Sequence, residues 1–187
     1  ITDNRKQAPM SVRIKDTVHK IPPHNIEAEQ AVLGGVLIDK DAINKALEVL
    51  SEDGSDFYHP AHAKIFRAMS ALFKKNTPVD EITLTDIFKD SDVLASVGGI
   101  SYIGEIIDST PTAANIMYYA RIVKEKSLLR KIIAASTEIV TRGYEAHDSA
   151  EEFIDDAERI IFEVSQERSK KTFFHIKDLM KGTFETI

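Results

Sequence analysis

From Ile21 onward the apolar residues recur every three or four positions, the period of helices that bury one face. Asn25 stands where it can cap a first helix carrying Ile26, Val32, Leu33, Val36 and Leu37, with Glu27 and Glu29 in the first turn, where the helix dipole favours anions. Gly34-Gly35 inside that stretch costs about 1 kcal/mol per glycine relative to alanine, which predicts a neighbouring helix in close approach. A second helix is expected from Asp41, with Ala42, Ile43, Ala46, Leu47 and Leu50 on one stripe, ending at the Ser51 to Ser55 stretch. Pro60 suits the first turn of a third, in which Ala61, Ile65, Phe66, Met69, Leu72 and Phe73 share a face, Lys74 and Lys75 fall in the last turn and Pro78 is the stop. Thr83-Leu84-Thr85-Asp86 reads as a capping box opening a short helix with Leu84, Ile87 and Phe88. Val97-Gly98-Gly99-Ile100 turns into another, Tyr102 to Ile107, and Ser109-Thr110-Pro111-Thr112 breaks the chain. No stretch alternates apolar and polar residues for long enough to suggest a strand.

The last third has a longer rhythm. Ala113 to Arg142 contains neither Pro nor Gly over about eight turns, with Ile122, Leu129, Ile132, Ile133, Ile139 and Val140 as its main apolar positions, and Gly143 is placed to act as a C-terminal cap. From Ser149 to about Arg168, Ala150, Phe153, Ile154, Ala157, Ile160, Ile161 and Val164 form a near-heptad stripe. Two such helices joined by a short loop make an antiparallel hairpin, too small to cover its own apolar stripes. It therefore has to dock on the preceding helices or, the favoured alternative, on a second copy of the chain, giving a four-helix bundle. The expected interface residues are Ile132, Ile139, Phe153, Ile154, Ile160, Ile161 and Val164.

The predicted fold class is thus all-α: a flexible basic tail (1–20), a compact helical head (21–112), a long helical hairpin for dimerisation (113–168), and a linker with the start of a further helix (169–187). That last piece carries Phe174, Ile176, Leu179 and Met180 at helical spacing, an apolar face that implies a receiving surface elsewhere. Ile187 ends this pattern in mid-course and Ile1 opens the chain, so both ends are expected to be cut or processed, and the chain to be a piece of something larger.

Charge sharpens the division. Residues 1–20 carry five basic side chains (Arg5, Lys6, Arg13, Lys15, Lys20) against Asp3 and Asp16, whereas the remainder carries 19 basic and 28 acidic ones, a net −9. A domain so acidic repels phosphate backbones. Within the hairpin the signs are segregated: residues 116–142 hold six basic and two acidic side chains, residues 145–163 eight acidic and one basic, which favours their antiparallel contact. The absence of cysteine excludes disulfides and thiolate metal sites, and no apolar run approaches the roughly 20 residues of a membrane span, so a cytoplasmic chain in contact with no membrane is expected.

Chemistry is sparse. No glycine is followed by lysine and no G-x-G-x-x-G occurs, so neither nucleotide-phosphate cradle is present. His59-Pro-Ala-His62 could bring two imidazoles together, but no carboxylate cluster accompanies them in sequence, and packing at the start of the third helix is the better reading. Glu151-Glu152 and Asp155-Asp156 are adjacent in sequence and fit a solvated acidic surface rather than an acid/base pair. No catalytic residue, metal ligand or cofactor is expected in this chain. Two other classes compete with that reading. A phosphorelay-type bundle needs a histidine midway along a long helix, whereas His147 falls in the hairpin loop; direct DNA binding would have to use the basic tail.

The segment Pro22-Pro23-His24-Asn25-Ile26-Glu27-Ala28-Glu29-Gln30-Ala31-Val32-Leu33-Gly34-Gly35 closely resembles the opening of the N-terminal domain of DnaB-type replicative DNA helicases. Three further blocks follow in order: Asp56-Phe57-Tyr58 with Pro60, His62, Ile65 and Phe66; Val97 to Tyr102; and Thr110 to Ile116 with Tyr118-Tyr119-Ala120. Arg121 to Lys126 and Ile176 to Leu179 continue the match, so the resemblance spans Ile21 to about Leu179. It implies a head and hairpin whose copies pair, three dimers forming the collar of a homohexameric ring. It also implies a linker helix, here from Phe173, docking through Phe174, Ile176, Leu179 and Met180 on a neighbouring ATPase domain that lies beyond this chain. ATP, magnesium and most DNA contact would belong to that absent domain; this part would hold the ring together and bind the helicase-binding C-terminal domain of primase, and in some lineages loader proteins also engage the helicase. The hairpin loop, Gly143 to Asp148, differs from the Pro- and Gly-rich version common in that family.

Overall fold

The structure, a computed structural model, describes residues 21–89, 98–145 and 149–169. The basic tail, the linker beyond Ser169, which closes the last helix, the proposed docking residues Phe174, Ile176, Leu179 and Met180, and His147 lie outside the described residues. Seven helices are described: α1 (Ile26–Ile38), α2 (Ala42–Leu47), α3 (Pro60–Lys74), α4 (Glu81–Lys89), α5 (Gly99–Asp108), α6 (Ile116–Arg142) and α7 (Ala150–Ser169). Among the described residues there is no strand, and the all-α class holds.

α1 is the central element. Asn25, in extended conformation at φ −151°, accepts a 2.8 Å hydrogen bond from the Ala28 N–H and so starts the helix as its cap. Val32, Leu33, Gly34, Gly35 and Val36 are all buried, so α1 is enclosed on most sides rather than along a single face. The close approach implied by the paired glycines is present. A Cβ on Gly34 would stand 2.1 Å from Thr110 Oγ1 and 2.7 Å from the Ile106 carbonyl, at the end of α5; one on Gly35 would meet Ile116 Cδ1 at 3.1 Å, at the start of α6. Around α1 the core gathers Ile43 and Leu50, Ile65, Phe66 and Met69 of α3, Leu84 of α4, and Ile103 and Ile106 of α5.

Several helix ends differ from the sequence expectation, each for a local reason. α3 starts at Pro60 as predicted, but Pro78 does not stop it. Asn76 adopts the left-handed conformation (φ 54°), its N–H bonds the Phe73 carbonyl at 2.9 Å and the Thr77 N–H bonds the Leu72 carbonyl at 3.0 Å, a Schellman closure that satisfies the last carbonyls before Pro78 is reached. The capping box of α4 is formed by Asp80 and Thr83, three residues before the predicted one: Thr83 N–H donates to Asp80 Oδ1 at 2.8 Å and Asp80 N–H to Thr83 Oγ1 at 3.1 Å. α5 begins at Gly99, because Gly98 and Gly99 both take positive φ (92° and 77°) and complete the turn earlier. α2 is only six residues long. Gly143 is not a left-handed cap; its φ is −61°, and a Cβ there would come 3.2 Å from the Phe153 ring, so its smallness serves the approach of α7.

The core does not end at residue 112. Ala113, Ile116, Ala120 and Val123 are buried with the head, and α1 packs more extensively on α6 than on any other helix. The first half of α6 is therefore covered by the head rather than by a second copy. Its second half pairs with α7, burying Ala135 and Ile160.

The Gly34 contact generates a direct prediction. Gly34→Ala is expected to destabilise the chain by about 1 to 3 kcal/mol through overpacking, despite alanine's higher helix propensity, as measured by the urea midpoint; an unchanged or raised midpoint would show that α5 can yield at Thr110.

Candidate interaction surface on the helical hairpin

Two buried polar clusters fix how α6 leaves the head. In the first, the fully buried Asp56 accepts hydrogen bonds from Ser51 N–H (2.7 Å), Ser127 Oγ (2.7 Å) and Lys124 Nζ (3.0 and 3.2 Å to its two oxygens). Burial alone would raise the Asp56 pKa, but the Ser127 hydroxyl, the Ser51 amide and Lys124 together hold it below its ordinary 3.8. One turn further along α6, Arg130 donates from Nη1 to the Pro23 carbonyl at 2.8 Å and from Nη2 to the Asp56 carbonyl at 2.6 Å, with its guanidinium 5.7 Å from the centre of the Tyr58 ring. His24 stacks on that same ring at 4.4 Å, its Nδ1 2.7 Å from the Pro22 carbonyl.

The second cluster joins α1, α3 and α5. Glu29 was expected to serve the helix dipole, but its carboxylate turns inward: Oε1 accepts from Tyr58 N–H at 2.7 Å, and Oε2 from His59 N–H at 3.2 Å and His62 Nδ1 at 2.7 Å. Because a carboxylate only accepts, Nδ1 of His62 carries the hydrogen, and Nε2 meets the Tyr102 hydroxyl at 2.7 Å. His62 is fully buried, in agreement with a packing role. Its neighbour His59, ring to ring at 4.6 Å, has its pKa lowered, first by burial and then by His62. Among the described residues, no group of three or more His, Asp or Glu side chains is arranged to hold a metal ion.

Beyond these ties α6 emerges with its other face uncovered. Leu129, Ile132, Ile133 and Val140 on α6, and Ile154, Ile161 and Phe162 on α7, are all exposed large apolar side chains. Positions 129, 133 and 140 fall on one side of α6 and 154 and 161 on one side of α7. Ile132 and Ile161 share a groove of about 250 Å³ with Leu128, Val164 and Ser165, so these faces adjoin. A shallow hollow of about 490 Å³ continues across Phe153, Ile154, Ala157, Glu158, Ile161 and Phe162.

The seven predicted interface residues thus divide. Ile132 (47% exposed), Ile154 (54%) and Ile161 (46%) lie on the open face; Ile139, Phe153 and Val164 are half-buried; Ile160 (8%) is buried within the hairpin of its own chain. The open face also includes Leu129, Ile133 and Val140, which the periodicity marks only as helix positions, and Phe162, which falls off the heptad stripe. Neither buried polar cluster is visible in the sequence pattern, since partners 29 to 107 positions apart carry no periodic signal.

Comparison with known proteins places this architecture. The family model described as the DnaB-like helicase N-terminal domain matches residues 21–125. The chain belongs to that family. It is 46% identical over 168 residues to the replicative DNA helicase DnaC of Bacillus subtilis (strain 168), covering 90% of this chain and 37% of the relative, and it has the same identity and coverage with the replicative DNA helicase DnaB of Geobacillus stearothermophilus. The chain therefore spans little more than a third of these DnaB-type relatives. Among solved structures, the N-terminal domain of DnaB helicase from Mycobacterium tuberculosis matches with a TM-score of 0.72 and 40% identity, covering 77% of this chain and 99% of that one. A structure of a DnaB-like replicative helicase and its interactions with primase shares the fold at a TM-score of 0.62 and 21% identity, over 87% of this chain and 35% of that one.

The Asp56 cluster yields a pH prediction for this DnaB-type domain. A carboxyl whose pKa is lower in the folded chain contributes stability that is complete above its ordinary 3.8 and is lost as pH falls through the lower folded value. Asp56→Asn should therefore be less stable at neutral pH, by about 3 kcal/mol or more because Lys124 is left without its carboxylate, and should lose less stability on acidification than the parent. Denaturant titrations at stepped pH check both; parallel acid limbs would show that Asp56 is not the linked group.

Proposed function

We propose that this chain is the non-catalytic assembly and partner-docking domain of a hexameric replicative DNA helicase. In this reading two copies pair through their hairpins in a four-helix bundle, and three such pairs form a collar on the ring. The C-terminal domain of primase docks on that collar, so that priming is coupled to unwinding. ATP and magnesium are used, and most DNA is held, by an ATPase domain outside this sequence; helicase loaders engage the same assembly in the cytoplasm. The observation that carries the reading is the uncovered apolar face of α6 and α7 on a hairpin whose other side is already packed, in a chain of the DnaB-like N-terminal family. The relation to a helicase structure described with its primase interactions supports the docking half. Among the described residues no helix is long and apolar enough to cross a membrane.

The exposure pattern separates two substitutions that the sequence would treat alike. Ile161→Asp should leave the chain folded and weaken self-association by about tenfold or more, some 1.4 kcal/mol, because a carboxylate would have to be buried against the second copy. Ile160→Asp should instead unpair α7 from α6 and lower helicity. Light scattering with far-UV circular dichroism distinguishes them, and calorimetric titration with primase's C-terminal domain tests the docking. A parent chain that stays monomeric at high concentration and gives no heat with primase would overturn the proposal.

A further inference from the structure

On the head, the end of α1, the turn into α2 and the connection from α3 to α4 line a cleft of about 750 Å³ to which no described residue of the hairpin contributes. Its floor is apolar, from Leu37, Ile38, Phe73 and Val79, with Ile38 47% exposed. Three aspartates, Asp39, Asp41 and Asp80, stand on its walls against a single base, Lys40. These carboxylates are set by backbone chemistry: Asp39 Oδ1 accepts from Asp41 N–H at 3.0 Å, and Asp80 Oδ1 from Thr83 N–H at 2.8 Å. The lip is fixed as well, because Asn76 is held in its left-handed conformation by the closure of α3. An apolar floor with an acidic rim suits an occupant that alternates apolar and basic residues.

The chain contains such a segment. Residues 1–20 carry a net +3 within a protein whose remainder is −9, and Val12-Arg13-Ile14-Lys15, with Val18 and Lys20, interleaves the two residue types. We infer that the basic N-terminal segment seats in this cleft on its own chain, its cations against Asp39, Asp41 and Asp80 and its aliphatic side chains over Ile38 and Phe73. Distance allows it. The cleft lies at the far end of α1 from Ile21, about 20 Å along a 13-residue helix, and 20 residues extend to about 65 Å. The consequence is a surface of the head that is either covered by the tail or offered to a competing basic segment of a partner, independently of the hairpin face.

Because the protein contains no cysteine, the test can use the full chain. A nitroxide attached through Ser11→Cys should broaden the amide signals of residues 37–41 and 77–80 in a two-dimensional NMR spectrum. The broadening should be lost in Asp39→Asn/Asp41→Asn, which keeps the Asp39 Oδ1 acceptor of the turn, and in about 0.5 M salt, where the Debye length falls to about 4 Å. Broadening that settles on the acidic face of α7, or is spread evenly over the molecule, would overturn the inference, as would a cleft signal indifferent to salt and to both asparagines. A spin-labelled chain mixed with isotope-labelled chain lacking the label decides whose cleft is filled; transfer between copies would overturn the assignment to the chain's own cleft.

Discussion

The whole architecture depends on one helix belonging to two bodies. The first half of α6 lies in the core of the head and its second half forms the hairpin, so the packing of α6 on α1 sets where the hairpin goes. Gly35 makes that packing possible, since a Cβ there would stand 3.1 Å from Ile116 Cδ1, while Gly34 admits the end of α5, where a Cβ would collide with the Thr110 side chain and the Ile106 carbonyl. Close approach leaves little room for adjustment in a core packed as densely as a crystal. The polar ties then fix the rotation of α6 about its own axis. Lys124, Ser127 and Arg130 reach the Asp56 carboxylate, the Asp56 carbonyl and the Pro23 carbonyl, so three successive contacts along α6 meet a single loop and the entry to α1. With both position and rotation fixed, the face bearing Leu129, Ile133 and Val140 is turned away from the head as a direct result.

Most of the helices and their order are legible because they bury an apolar stripe that repeats at 3.6 residues, α1 being enclosed on most sides instead, and the glycine pair is legible because glycine inside a helix needs a reason. The helix ends were less so. At α3 and α4 the closing residues, Asn76 and the pair Asp80 and Thr83, compete with equally plausible signals a few residues away, and the choice between them is made by which backbone groups are left without partners. The polar clusters were not legible at all. Glu29 looks like a first-turn acid and His62 like a packing residue; only the fold shows that they are 2.7 Å apart. Among the candidate surface residues, the heptad rule named the stripe but could not rank it, because Ile160 and Ile161 are neighbours in sequence and opposite in environment, one 8% and the other 46% exposed.

The segregation of charge along the hairpin has a limited energetic role. Arg142 and Asp156 approach to 3.7 Å across the two helices, and both are partly exposed, a geometry worth about 0 to 1 kcal/mol. That pair therefore adds little to what the apolar contacts at Ala135 and Ile160 contribute to closing the hairpin. What the charges do supply is discrimination: two α7 helices side by side would bring like charges together, whereas α7 against α6 does not. The same argument applies within one chain and between two copies.

The distribution of burial also predicts where stability is lowest. α7 packs principally on α6, and of its large apolar residues Ile160 is buried while Ile154, Ile161 and Phe162 are exposed, so it lacks the surrounding layers that enclose α1. Local opening free energies follow such differences, which makes α7 the first element to detach and α1 among the last. Any partner that covers Ile161 and Phe162 binds the closed hairpin and not the open one, and by mass action stabilises α7 in proportion to its concentration. If hairpins pair as proposed, folding of the hairpin and its association are one equilibrium. In that case substitutions on the open face alter the apparent stability of α7 even when they touch nothing within their own chain, and the size of that effect rises with protein concentration, whereas substitutions in the α1 core do not show that dependence.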